Sequence, residues 1–136
     1  MKRAWLIAVT AGLVAAGSPA WAAGYWAGIA EEVIGEVDRA EAFAKAGQTD
    51  DAKEAVINSY FALFEDKKME TAERSALGAK HIAEVEAQFN DLRKAAGKPG
   101  ASDLHVLAES LRRTLRADGR ALDDAKIAAD GIGVGK

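Results

Sequence analysis

The chain contains no cysteine among its 136 residues. A disulfide therefore cannot staple the fold, and lipid attachment at a signal-peptide cysteine is excluded. A haem attached through a Cys-x-x-Cys-His motif is excluded for the same reason. The protein must hold together by the packing of its core alone.

Motifs that carry enzyme chemistry are missing as well. The sequence has no nucleophile motif, no phosphate-binding glycine loop that opens a helix and no dinucleotide fingerprint. The di-iron pattern Glu-x-x-His is absent, since Glu84 follows His81 and Ser102 stands three residues before His105. We expect the two histidines at helix flanks or on the surface, too far apart to share a metal ion. The sequence therefore predicts a protein that is not an enzyme.

The first 22 residues have the layout of a cleavable secretory signal peptide. A basic start (Lys2, Arg3) is followed by an apolar run over 5–16, a Gly-Ser-Pro break and the small-residue pattern Ala-Trp-Ala at 20–22. The apolar run is shorter than the roughly 20 residues that span a bilayer as a helix. We predict that residues 1–22 are removed on export and that the mature protein is periplasmic; an uncleaved anchor is the alternative.

An excess of positive charge is also lacking. Lys and Arg number 18 against 21 Asp and Glu, which gives a net charge of −3. Loss of the signal peptide removes two basic residues and no acidic one, so the mature charge is −5. A nucleic-acid partner is not expected, because it requires a clustered basic face.

Apolar residues recur at three- and four-residue steps nearly everywhere after the signal peptide, and strand-type alternation occurs nowhere. This pattern predicts an all-α protein with four helices, over about 26–46, 49–66, 69–96 and 102–125. Their short connections predict antiparallel neighbours and hence an up-down-up-down four-helix bundle over residues 23–130. We expect a bend at Gly119, and a flexible glycine-rich tail over 131–136.

The second helix is predicted to lie at the centre of the core, because its inward face is the most apolar. Ile57 and Phe61 widen that face. The side chains predicted to meet in one core are Tyr60, Leu63, Phe64, Ile82, Val85, Phe89, Leu111 and Leu115.

Carboxylates are unevenly distributed along the chain. The hairpin between the second and third helices carries Glu65, Asp66, Glu70 and Glu73 within nine residues. Antiparallel packing adds the acidic residues at the start of the first helix and late in the fourth to the same end. Hard cations favour oxygen ligands of this kind. The hairpin is therefore a candidate metal site, and a solvated acidic rim balanced by lysines is the alternative.

Three short segments in this region resemble a known family. They are Tyr-Phe-Ala-Leu-Phe-Glu at 60–65, Met-Glu at 69–70 and Glu-Ala-Gln-Phe at 86–89. This series resembles the extracytoplasmic helical domain that precedes the membrane part of bacterial permeases in the high-affinity, fungal-type iron permease family. In that domain Tyr-Phe-x-x-Phe-Glu is followed by Met-Glu and, on the next helix, by Glu-x-x-Phe. The similarity covers roughly residues 26–122.

The resemblance implies Glu65, Glu70 and Glu86 as metal-binding positions and iron as the metal. On a continuous third helix Glu86 would lie about 24 Å beyond Glu70. We therefore expect Glu65 and Glu70 to converge, but not all three to hold one ion. Glu86 is either a separate ligand or an ion-pair partner of Lys53, Arg112 or Arg113.

The chain also departs from these permeases. They carry Arg-Glu-x-x-Glu motifs in transmembrane helices, whereas this sequence contains no Arg-Glu dipeptide. The resemblance thus implies a stand-alone periplasmic protein that binds iron or another divalent metal and hands it to a membrane iron permease or another envelope protein. The alternative is an interaction or scaffold protein of the cell envelope without metal.

Overall fold

A computed structural model describes residues 24–135, so the predicted signal peptide lies outside the described residues. These residues form five α-helices, and no strand occurs among them beyond an isolated bridge between Ile127 and Val134. The prediction of an all-α protein is confirmed for this part of the chain. The α-helices are α1 (Tyr25–Lys45), α2 (Thr49–Asn58), α3 (Met69–Leu77), α4 (Ala79–Ala96) and α5 (Leu104–Asp124). A π-helix (Ser59–Glu65) follows α2 directly and continues it. None of these helices is both long enough and apolar enough to cross a membrane.

Helix α1 packs mainly against α2 and α5, and α4 packs against the same two helices. Helices α1 and α5 run in opposite directions, because Asp123 contacts the start of α1 while Arg112 binds Glu41 near its end. Lys67 contacts Glu32 at 2.9 Å, which places the connection between the π-helix and α3 beside the first turns of α1. The short helix α3 packs against the π-helix and α4.

The Asp123 carboxylate caps the beginning of α1 from the far end of the chain. Its two oxygens accept hydrogen bonds from the backbone N–H groups of Trp26 at 2.8 Å and Ala27 at 2.9 Å. The first N–H groups of a helix have no partner within the helix, and the positive end of the helix dipole favours an anion there. One side chain thereby ties the two ends of the domain together.

Helix α5 continues without interruption through Gly119, where we predicted a bend. A Cβ atom at this position would lie 3.0 Å from the carbonyl oxygen of Trp26. The glycine therefore permits a close approach of α1 and α5.

The segment after α5 turns back on itself. Ile127 pairs with Val134, and the carbonyl oxygen of Ile127 accepts a hydrogen bond from Trp26 Nε1 at 2.8 Å. Part of the segment that we predicted as a flexible tail therefore takes part in a defined turn next to α1.

The core contains most of the side chains predicted for it. Tyr60 and Leu63 are partly buried and pack against it, whereas the other six are buried: Phe64, Ile82, Val85, Phe89, Leu111 and Leu115. Phe61 is 57% exposed, so its predicted place on the inward face is wrong. The physical reason is helical spacing: Phe61 follows the buried Ala52 by nine residues, and at about 100° per residue the two side chains lie on opposite sides of the helix.

The predicted continuous helix over 69–96 is also wrong, because the chain breaks at Gly78. This residue has φ 93° and ψ 163°, a backbone region that is essentially restricted to glycine. The break ends α3 and starts α4 in a new direction. Residues on α3 therefore approach residues on α4 that a straight helix would keep far apart.

Phe89 provides a test of the core. Its ring lies 5.0 Å from the Phe64 ring and 5.2 Å from the Tyr60 ring, centroid to centroid. We expect Phe89→Ala to lower the free energy of unfolding by about 3 to 5 kcal/mol, because it leaves a cavity in a packed cluster. Phe61→Ala is the matched control and should change it by less than about 1 kcal/mol. Urea unfolding followed by circular dichroism measures both, and equal effects would contradict this core.

Candidate metal centre

Three helices bring together two carboxylates and an imidazole. Glu73 comes from α3, His81 from the first turn of α4 and Asp118 from α5. One ligand atom from each residue lies within 4.8 Å of the other two. On a continuous helix Glu73 and His81 would be about 12 Å apart. The break at Gly78 is thus the feature that assembles this cluster.

Glu73 is the most unusual residue of the cluster. Its side chain is 0% exposed, and both carboxylate oxygens lack a hydrogen-bond partner among the described residues. Burial raises the pKa of Glu73 well above its usual range, and the nearby carboxylates of Asp118 and Glu70 raise it further. Asp118 is near enough to share a proton with Glu73, which also favours the protonated form of Glu73. A buried carboxylate without a partner is costly unless something outside the polypeptide binds it.

His81 and Asp118 form a close pair beside Glu73. His81 Nε2 lies 2.7 Å from Asp118 Oδ2. The Asp118 side chain is 8% exposed, whereas the His81 side chain is 32% exposed. His81 is therefore the member of the cluster that faces solvent, and the two carboxylates lie behind it.

The donor set suits a first-row divalent metal ion. Imidazole and carboxylate are ligands that iron, zinc and manganese accept. Ligand atoms bound to one ion at about 2.1 Å are about 3 to 4 Å apart, so small shifts of these three side chains are sufficient. Three protein ligands leave coordination positions open for water or another small donor.

The three acidic residues that the family resemblance indicates lie outside this cluster. Glu65 is exposed at the end of the π-helix. Glu70 and Glu86 both contact the Arg74 guanidinium, at 3.0 and 3.5 Å. The expected separation of about 24 Å between them is therefore wrong, because it assumed an unbroken helix.

Glu70 is held by two neighbours. Tyr60 donates a hydrogen bond to it at 3.0 Å, and Arg74 binds its other oxygen. Arg74 is also the observed ion-pair partner of Glu86, in place of Lys53, Arg112 or Arg113. The ionic contacts of Glu70 and Glu86 are thus satisfied by the protein itself, unlike those of Glu73.

The second histidine belongs to a separate ionic cluster at the other end of α1. His105 Nδ1 lies 2.9 Å from Glu41, and Glu41 also binds the largely buried Arg112 at 2.7 Å. Burial acts to raise the pKa of Glu41, but hydrogen bonds from Arg112 and His105 lower it to about 2. His81 and His105 have different partners, and the ionic groups of the His105 cluster pair with one another.

The acidic hairpin is the sequence signal that points to part of the centre, because Glu73 is one of its carboxylates. The sequence does not single out Glu73 within the hairpin, since its charge is typical of a solvent-facing helix position and nothing in the helical period sets it apart from Glu70. The sequence predicts His81 to be a flank or surface residue. Asp118 stands in an ordinary charged stretch of α5.

The chain was compared with models of protein families, with characterised proteins and with solved structures, and no match was found.

Gly78 is testable as the residue that positions the centre. A Cβ at Gly78 would meet no atom within 4 Å, so any effect of Gly78→Ala comes from the backbone conformation. We expect this change to lower the free energy of unfolding by about 1 to 3 kcal/mol. Gly35→Ala is the matched control. Gly35 lies inside α1 with open space around it, and alanine there should stabilise by about 0.5 to 1 kcal/mol. Stabilisation by both changes would contradict the break at Gly78.

The raised pKa of Glu73 predicts how stability depends on pH in the metal-free protein. A carboxyl group whose pKa is raised by folding stabilises fully below its unfolded pKa of about 4.3, and this contribution is lost as the pH rises through the folded value. Glu73→Gln should therefore stabilise the protein by about 1 to 3 kcal/mol at pH 8 and by much less at pH 4. Urea unfolding in the presence of a chelator measures this difference. A loss of stability at pH 8 would show that the Glu73 carboxylate has a partner in the folded protein.

Proposed function

We propose that this protein is a non-enzymatic, periplasmic metal-binding protein of iron uptake or of the uptake of another divalent metal. In this proposal Glu73, His81 and Asp118 hold the ion. The observation that carries it is the buried Glu73 carboxylate, which lies next to the His81–Asp118 pair and has no partner in the described protein. A cation at this position would compensate the burial of both carboxylates.

The site would tie three helices together. Because its ligands come from α3, α4 and α5, a bound ion should stabilise the folded state by its binding free energy. Solvent reaches the cluster on the His81 side. An ion held in this way can exchange with a partner through that opening, which suits a protein that hands a metal on.

The resemblance to the extracytoplasmic domain of iron permeases adds a context to the proposal. Under it, residues 1–22 are a cleaved signal peptide, the mature chain is an up-down-up-down four-helix bundle, and the partner is a membrane iron permease or another envelope protein. Glu65, Glu70 and Glu86 stay a prediction from that resemblance. The contacts of Glu70 and Glu86 with Arg74 favour Glu73 as the ligand from this region.

A scaffold protein of the cell envelope without metal is the second candidate. It is favoured by Phe61, which is 57% exposed beside a cavity of about 280 Å³ lined by Tyr60, Phe89 and Arg93 among others. An exposed aromatic ring next to a cavity is a common feature of binding surfaces. This candidate requires no ion at Glu73.

Metal titration of the mature protein tests the proposal. We expect calorimetry with Mn²⁺, Zn²⁺ and anaerobic Fe²⁺ to give one ion bound per chain at micromolar concentration. Loss of a ligand should weaken binding by at least about 100-fold, more than the 10- to 100-fold typical of residues that only support a ligand. Glu73→Gln and Asp118→Asn should both show this loss.

The matched control is the double change Glu65→Gln/Glu70→Gln, which removes two carboxylates near the centre and none of its ligands. It should retain binding. If the double variant loses binding while Glu73→Gln binds normally, the site lies at the hairpin, as the resemblance implies. If no ion binds to the wild-type protein, the metal-binding function is wrong and the scaffold candidate replaces it.

A further inference from the structure

We infer that the Glu73–His81–Asp118 centre selects divalent over trivalent metal ions because its buried ligands carry two negative charges. This inference rests on the proposed function, and it specifies that the bound ion is divalent. It places ferrous rather than ferric iron among the ions that the centre takes.

The ligand charges can be counted from the three side chains. Carboxylates bind metals in their deprotonated form and histidine binds them as a neutral imidazole. Glu73 and Asp118 therefore supply two negative charges and His81 supplies none. A divalent ion makes the centre neutral, whereas a trivalent ion leaves one positive charge.

Because the ligands are buried, the net charge of the ion and its ligands affects how tightly each ion binds. The Glu73 residue is 0% exposed and the Asp118 side chain is 8% exposed, so water reaches a residual charge only on the His81 side. An uncompensated charge in such surroundings is strongly unfavourable. A neutral centre avoids that penalty.

The neighbouring charges do not change the net charge of −2 that the three ligands supply. Glu70 is the further carboxylate that acts on Glu73, and Arg74 neutralises it at 3.0 Å. That pair contributes no net charge to the centre. Arg74 also contacts Glu86, whose side chain is 40% exposed and therefore screened by water.

The ligand types narrow the class of divalent ion. Calcium prefers six to eight oxygen ligands, and the centre offers two carboxylates and a nitrogen. Monovalent copper prefers sulfur, which no member of the centre supplies. The ions that fit are the borderline divalent ions of the first row.

A competition between Co²⁺ and Ga³⁺ tests the inference, since neither ion changes oxidation state under ordinary conditions. The mature protein is equilibrated with both metals at equal free-ion concentrations, set with citrate and corrected for its tighter binding of Ga³⁺, and then desalted, and the bound metals are measured by elemental analysis. The visible absorption of protein-bound Co²⁺ reports whether the ion has protein ligands. We expect about one Co²⁺ per chain and little Ga³⁺.

His81→Glu changes the charge of the centre without changing its place in the fold. Three carboxylates match a trivalent ion, so the ratio of bound Ga³⁺ to bound Co²⁺ should rise by at least about 100-fold relative to the wild-type protein. His105→Glu is the matched control. It makes the same charge change in the separate cluster around Glu41 and should leave the ratio unchanged.

The outcomes separate the inference from the function on which it rests. Uptake of Ga³⁺ by the wild-type protein as readily as Co²⁺ overturns the inference while the metal-binding function stands. An equal rise of the ratio in His81→Glu and His105→Glu also overturns it, since the effect would then come from overall charge. If neither metal binds to the wild-type protein, the proposed function fails and the inference fails with it. Should His81→Glu not fold, as judged by circular dichroism, the wild-type competition decides alone.

Discussion

Gly78 holds a backbone conformation that is essentially restricted to glycine, with φ 93° and ψ 163°, and the arrangement of the carboxylates depends on it. The break lets α3 and α4 leave this residue in different directions. Glu73 thereby reaches His81, and Glu70 and Glu86 come within reach of one arginine. A single residue without a side chain thus decides which charged groups face one another.

Several other buried and half-buried charges of the described protein have partners within the polypeptide. Arg112 is surrounded by carboxylates, Glu41 is held by Arg112 and His105, and Asp123 binds the free N–H groups of α1. Glu73 departs from this rule, since its carboxylate is buried and its oxygens have no partner. Such a group lowers the stability of the metal-free fold, and proteins retain costly groups of this kind mainly at functional sites.

The charge distribution gives the two ends of the domain different roles. At the His105 end the ionic groups pair tightly and hold α1 and α5 together. At the Gly78 end three helices converge on Glu73, His81 and Asp118, and the Glu73 oxygens lack a partner in the described protein. The first arrangement is structural because its charged groups pair with one another, whereas the second contains a buried carboxyl group that a proton or a bound cation must neutralise.

The sequence by itself determined the helical class, the approximate bounds of α1, α2 and α5, and most of the core, because these follow from the spacing of apolar residues along single helices. The apolar pattern placed Phe61 at the edge of the inward face, although Phe61 lies about half a turn away from the buried Ala52 around the helix. The sequence also drew attention to the acidic hairpin that includes Glu73. Only the tertiary structure decided that Glu73, and not Glu65 or Glu70, lies beside His81 and Asp118. The physical reason is that this contact depends on the φ and ψ angles of Gly78 and on the packing of α5. Neither can be read from the spacing of apolar residues along a single helix.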